Sequence, residues 1–418
     1  MKKDNEKRVP ELRFKGFDGD WEQRKLGEVF QQTSNYVNPT EEDLELWSLT
    51  VEQGLTPKTA RYDRSFLVKK DDQFKKVSCH EFLYNPMNMT LGAVDQNNTG
   101  HAVAVSGYYT TMKLKPGLGS DFFRVMLRSS RMIHKYKQFA TGSLIERQRV
   151  QFPTFSMIPT NLPDPREQES ISKVFKTLDA IVALHERKLE LLKELKKAYL
   201  QQLFPENGQL TPKLRLAGYT DDWEKRKLSW MLDARDGIRR GPFGSALKKS
   251  LFVPASPYVV YEQQNAIYDK YNTRYNISEE TFHKLSKFEI HPGDFIMSGA
   301  GTIGRISRVP EGIKAGVFNQ ALIRFKIDVD KTDDEYFLQL IRSPQMQRKL
   351  TESNPGSAIT NLVPMSEVKN WVLLVPTKVE QTRIAHSLRL IDKTIALHQR
   401  KLETFRNLKK AYLQRLFI

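Results

Sequence analysis

The sequence predicts an α+β protein: two mixed α/β domains separated by two long helices that pair as an antiparallel coiled coil, with an internal pseudo-twofold repeat. Three observations lead to this. Residues 164–204 and 377–417 each read as one uninterrupted helix. The ends of those stretches are nearly identical, LKKAYLQQLF at 195–204 against LKKAYLQRLF at 408–417. A block at 10–28, PELRFKGFDGDWEQRKLGE, returns at 212–230 as PKLRLAGYTDDWEKRKLSW.

The first long helix has a clear start. Asp164 is a good N-cap, Pro165 suits the first helical position and Glu167 sits three residues after the cap. No Pro or Gly follows from 166 to 204, a length of about 58 Å at ~1.5 Å per residue. Its apolar seam steps by four and three through Ile171, Phe175, Leu178, Val182, His185, Leu189, Leu192, Lys196, Tyr199 and Leu203, which is a heptad seam. In the second helix Thr377 and Glu380 read as a capping box. Its seam runs Ile384, Leu388, Ile391, Ile395, His398, Leu402, Phe405, Lys409, Tyr412 and Leu416. The polar members recur in register, His185 with His398 and Lys196 with Lys409. The histidines read as buried polar residues that set register.

Two seams of equal length, each needing an apolar partner, most simply pack on one another. Further repeated blocks precede each helix: LRSSRM (127–132) matches IRSPQM (341–346), and Gly142-Ser143 matches Gly356-Ser357. The chain is therefore two copies of one unit. The predicted order is a mixed domain over 1–152, a helical region over 153–204, a second mixed domain over 205–370 and a second helical region over 371–418. Between the shared blocks, residues 30–120 and 232–332 share little. Both read as strand-rich, with alternating runs such as HAVAVSGYYTTMKLK (101–115) and FNQALIRFKI (318–327) punctuated by Gly, Pro and Asn. A duplicated frame with unlike interiors implies two different readers in equivalent positions.

Composition narrows the function. A net charge of +17 and a pI near 9.6 point to a polyanionic partner. One cysteine, Cys79, excludes an internal disulfide framework and a multi-cysteine metal site. The opening residues have no apolar leader and no 18-residue apolar run follows, so a cytoplasmic protein that does not span a membrane is expected. Catalytic motifs fail on inspection. Ser298 to Gly304 contains G-x-G-x-x-G, but a dinucleotide site needs a helix next, and RISRVPEG follows. It reads as a glycine turn bringing backbone near another surface, DNA phosphate included. Asn85-Pro86-Met87-Asn88 lacks the second proline and aromatic of an amino-methyltransferase loop. There is no P-loop. A stand-alone nuclease or methyltransferase thus lacks its motifs, and a purely structural coil leaves the charge and the duplicated domains unexplained.

If the partner is DNA, base contacts belong to Arg, Asn and Gln in the divergent loops, which make bidentate contacts to guanine and adenine edges. The candidates are Gln96, Asn97 and Asn98 in a polar loop, Arg147 and Arg149 after the shared Gly-Ser, Arg239 and Arg240 before GPFGS, Arg305 and Arg308 around the glycine turn, and Asn319 and Gln320 opening a strand. The basic helix face of Arg187, Lys188, Lys193, Lys196 and Lys197 reads as solvated, with phosphate tracking as the alternative.

Over nearly its whole length the chain resembles the specificity subunits of type I restriction–modification systems. The resemblance rests on the P-x-L-R…W-E-x-R-K-L blocks at 10–26 and 212–228, on RGPFGSAL at 240–247, and on the two E-Q…K-K-A-Y-L-Q-x-L-F helices. It implies two target-recognition domains, each reading half of a split site on double-stranded DNA, held apart by the coiled coil. It also implies assembly with two methyltransferase (modification) subunits and with restriction/translocase subunits. Those partners would bind S-adenosylmethionine, ATP and Mg²⁺; the resemblance implies no cofactor, no metal and no catalytic residue in this chain.

Overall fold

In each half of the chain a four-stranded antiparallel sheet carries the core, and the strand order is the same in both: first, fourth, second, third. In the first half the strands are Phe30–Thr33, Thr110–Leu114, Phe82–Tyr84 and Val94–Gln96 in spatial order. In the second they are Ile238–Arg240, Leu322–Phe325, Phe295–Ser298 and Ile306–Arg308. The structure, a computed structural model, describes residues 9–58, 73–142, 148–206, 209–244, 246–351 and 365–418. Arg147, Ser143, Gly356 and Ser357 lie outside the described residues.

Packing divides the chain into two units. One comprises Met1–Glu186 with Arg400–Ile418, the other Arg187–Gln399. This cut falls in the middle of both long helices, Pro165–Gln202 and Lys378–Arg415, so each helix contributes one half to each unit.

Each unit also pairs two strands that flank its mixed region in sequence. Glu22–Lys25 lies antiparallel to Pro159–Leu162 in one, and Glu224–Lys227 to Val372–Val375 in the other. The second strand of each pair leads directly into a long helix, so the pair fixes where that helix starts. Beyond this frame the units differ. The first adds a three-stranded sheet of Tyr36–Val37, Phe74–Val77 and Val103–Ser106 and a hairpin of Trp47–Thr50 with Gly54–Pro57. The second adds a four-stranded sheet in which Val259–Tyr261 runs parallel to Gly316–Phe318.

The repeated helix ends have a packing reason. In the first unit Phe417 lies 6.5 Å from Trp21, 5.9 Å from Phe122 and 6.1 Å from Phe175, ring centre to ring centre, and is buried with Leu416 and Ile418. In the second unit Phe204 lies 5.6 Å from Tyr336, which is 6.5 Å from Trp223. The Leu-Phe at the end of each long helix thus completes an aromatic core beside a repeated tryptophan, and burying such a phenylalanine is worth roughly 1.5–3 kcal/mol.

Helix starts agree with the cap chemistry in one half only. Asp164 Oδ1 accepts from the backbone N–H of Arg166 at 2.8 Å and Glu167 at 3.2 Å, and Thr377 Oγ1 accepts from Glu380 N–H at 3.4 Å. The reciprocal half of the expected capping box is replaced, because both glutamates turn to distant partners instead.

Candidate nucleic-acid interface

Those partners form the same three-residue anchor in each unit. Arg13 donates twice to Glu167 (Nε to Oε1 2.9 Å, Nη2 to Oε2 2.8 Å), and the Trp21 indole donates to the same carboxylate at 3.2 Å. Arg215 repeats the fork on Glu380 at 2.9 and 3.0 Å, with the Trp223 indole at 3.3 Å. Both glutamates are almost fully enclosed. The carboxylate draws each arginine's pKa further up, chiefly through the hydrogen bonds. Sequence reasoning read these glutamates as caps and missed the anchor. The available signal was that Arg13/Arg215, Trp21/Trp223 and a third-position glutamate all recur, with opposite charges in separate repeated blocks.

The long helices meet within each unit. In the first, Lys409 pairs with Asp179, Arg406 pairs with Glu186 at 2.6 Å, and the Phe405 ring stacks on His185 at 5.6 Å and 24°. Rising numbers on one helix against falling numbers on the other make this contact antiparallel. In the second unit Lys196 forks onto Asp392 at 2.7 and 2.8 Å. The recurring seam lysines therefore have recurring acidic partners across the helix pair, which the apolar pattern did not reveal. Leu178, Leu189, Ile391 and His398 are buried; Val182, His185, Leu192, Tyr199, Ile395, Leu402, Phe405 and Tyr412 are half-buried. Leu189→Asp would place an unpaired charge at a site only 7% exposed, at an expected cost of about 3 kcal/mol. Lys188→Ala, one position away and exposed, should change stability by less than about 0.5 kcal/mol. Thermal unfolding of the two variants side by side checks this; equal effects would mean the seam lies elsewhere.

The polar-loop candidates divide by burial. Gln96 donates from Nε2 to the His80 carbonyl at 3.0 Å, and Asn97 donates to the carbonyls of Val77 (2.8 Å) and His101 (2.9 Å) while its Oδ1 accepts from Thr99. Both are buried and shape the loop; Asn98 beside them is exposed. Arg149 is exposed, and its backbone bridges Thr141.

In the second unit the strand Ile238–Arg240 brings two candidate groups together. Gly241 donates to the Leu322 carbonyl at 2.9 Å, and a Cβ at Gly241 would stand 1.9 Å from the Asn319 carbonyl oxygen. Only glycine permits that approach, which sets exposed Arg240 and Gln320 and half-exposed Asn319 in one neighbourhood beside Phe243, 88% exposed. Arg239 is committed differently: with Arg324 it clamps Asp236. Burial alone would raise the Asp236 pKa, but the two guanidiniums outweigh it and hold the carboxylate below its usual range. Arg308 pairs with Asp334, leaving Arg305 exposed on the glycine turn. That turn leads into the strand Ile306–Arg308, so no helix follows it.

Among the described residues no group of His, Cys, Asp and Glu is arranged to hold a metal, and no helix is long and apolar enough to cross a membrane. The arrangement offers exposed Arg, Asn and Gln side chains on loops braced by rigid sheets, which suits recognition of a polar polyanion.

Comparison with known proteins agrees with this chemistry. Residues 220–405 match the family model described as the type I restriction modification DNA specificity domain. The chain is 22% identical to the type I restriction enzyme MjaVIII specificity subunit of Methanocaldococcus jannaschii, over 98% of this chain and 93% of that one. Its fold is similar to the type I restriction–modification S subunit from M. genitalium (TM-score 0.57, 13% identity, 98% and 99% of the two chains covered). It is also similar to a chain solved in work on assembly and conformational transition of the type I system (TM-score 0.58, 14% identity, 96% and 98% covered).

Proposed function

We propose that this chain is a type I restriction–modification specificity subunit, the DNA reader of such a system, and that it performs no catalysis itself; the family match over residues 220–405 and the 22% identical relative aligned over nearly the whole chain support this reading. One observation carries the reading: the same frame occurs twice, with equal strand order and equal Arg–Glu–Trp anchors, around unlike loops. Selection for a single binding surface gives no reason to keep two copies of a frame and diversify their interiors. A split target does.

In this reading the domains over 1–152 and 205–370 each recognise one half of a bipartite, asymmetric site on double-stranded DNA. The helical regions 153–204 and 371–418 form an antiparallel coiled coil, and the two copies make an internal pseudo-twofold repeat. Its length sets the spacing of the half-sites, and its exposed faces scaffold two methyltransferase subunits and the restriction/translocase subunits. S-adenosylmethionine, ATP and Mg²⁺ belong to those partners. The +17 charge supports a phosphate-rich ligand, and the exposed Arg240, Arg305, Asn98 and Gln320 are of the types that read base edges.

Exchanging residues 30–150 for the corresponding segment of a relative tests the modular reading. Methylome sequencing of cells carrying the complete system should show one half-site replaced and the other unchanged. If both halves change together, the two domains do not read independently.

A further inference from the structure

Beside the glycine turn of the second unit lies a cavity of about 460 Å³. Lys193, Lys196 and Lys197 reach it from the first long helix, Arg305 from the turn, and Arg342 from the helix Asp334–Arg342. Asp269 is the acidic residue of its lining. Three of these six groups are already committed: Lys196 is forked onto Asp392, Arg342 donates to the Ile306 carbonyl at 3.1 Å, and Asp269 accepts from Ser307 Oγ. The side chains of Lys193, Lys197 and Arg305 have no ion pair or hydrogen bond among the described residues. Three uncompensated cations around one concavity repel one another, and a bound anion relieves that repulsion.

The turn holds Arg305 ready for such a ligand. On one side the Gly304 carbonyl accepts from Gln347 Nε2 at 3.0 Å; on the other the Ile306 carbonyl accepts from Arg342. Arg305 N–H itself donates to Ser298 Oγ at 3.1 Å. Gly304 has φ +80°, and a Cβ there would stand 2.6 Å from Gln347 Oε1, so the pinning depends on glycine. With the backbone fixed on both sides, Arg305 is held at the cavity it lines.

The geometry points to a phosphate-ester site formed by Lys193, Lys197 and Arg305. A guanidinium supplies a planar fork for phosphate oxygens and the ammonium groups supply point charges. Two sources present this chemistry, the backbone of a DNA duplex and a free nucleotide. The first rests on the proposed function and assigns Arg305 to the backbone instead of a base. It also brings the long helix into the DNA interface.

The test uses the full-length chain and the triple variant Lys193→Gln/Lys197→Gln/Arg305→Gln, with Lys188→Gln as a control of the same chemistry outside the cavity. All three substituted residues are exposed, so the melting temperature should hold. Duplex affinity is measured against salt concentration for a target and an unrelated sequence, and ATP is titrated separately by calorimetry. For a duplex source, the slope of log K against log salt becomes less negative by about 2 to 3 in the triple variant, from roughly 0.9 per phosphate lost, and equally for both sequences. For a nucleotide source, saturable ATP binding is seen in the parent and lost in the variant. An unchanged slope together with no ATP binding overturns the site, as does a loss confined to the target sequence, which would return Arg305 to base reading. Failure of the DNA-reader proposal looks different: the parent itself would show no preference between the two duplexes.

Discussion

Glu380→Ala should destabilise the second unit by about 2 to 4 kcal/mol, and Glu167→Ala the first by a similar amount. The Glu380 side chain is 2% exposed and Arg215 15%, so deletion leaves a largely buried guanidinium and the Trp223 indole without their acceptor. Removing one partner of a buried pair costs roughly 3–5 kcal/mol, and the residual exposure of the arginine lowers that figure somewhat. Glu380→Gln keeps the shape and one acceptor oxygen, and about half the loss is expected. Denaturant unfolding of the two alanine variants and the glutamine variant checks the ranking. A loss below 1 kcal/mol for Glu380→Ala would mean the anchor is ornamental and the helix start is held by packing alone.

Lengthening both long helices by one heptad should lengthen the preferred DNA spacer by about three base pairs. Seven residues inserted between Glu190 and Leu191, and seven between Glu403 and Thr404, keep each seam in phase, where four would create a stutter. Each helix grows by about 10.5 Å, close to three base pairs at ~3.4 Å each. Half-sites read from one face of a duplex lie about one helical turn apart, ~34–36 Å centre to centre. Three added pairs also rotate the second half-site by roughly a quarter turn, so loss of specific binding to every spacer is the other result a ruler allows. Binding assays on a series of duplexes with graded spacers distinguish these. Full affinity for the original spacing would refute the proposal that the coil measures distance.

The mixed α+β class and the long helices were legible because their signals are local or repeated. A heptad seam is visible in any window of the helix, and a block such as LKKAYLQxLF is recognised by its second occurrence. The resemblance carried by those blocks led to the same family that the comparisons return. Individual side-chain roles were less legible. Gln96 and Asn97 look like Asn98 in sequence, yet two serve neighbouring carbonyls and one faces solvent. Arg239 looks like Arg240, yet only the first has Asp236 within reach.

The sequence by itself determined that two copies of one frame, two capped helices of equal length and a strongly basic surface make up this protein, because caps, periodicity and net charge depend on residue type and spacing alone. Only the tertiary structure decided that Glu167 and Glu380 receive an arginine and an indole from 146 to 165 positions away, that Lys196 and Lys409 find Asp392 and Asp179, and that the glycine turn holds Arg305 beside Lys193 and Lys197. The anchors and the glycine turn join segments that no periodic pattern connects, and the lysine–aspartate pairs depend on the register between the two seams. A buried charge is tolerated only where the folded chain delivers its partner.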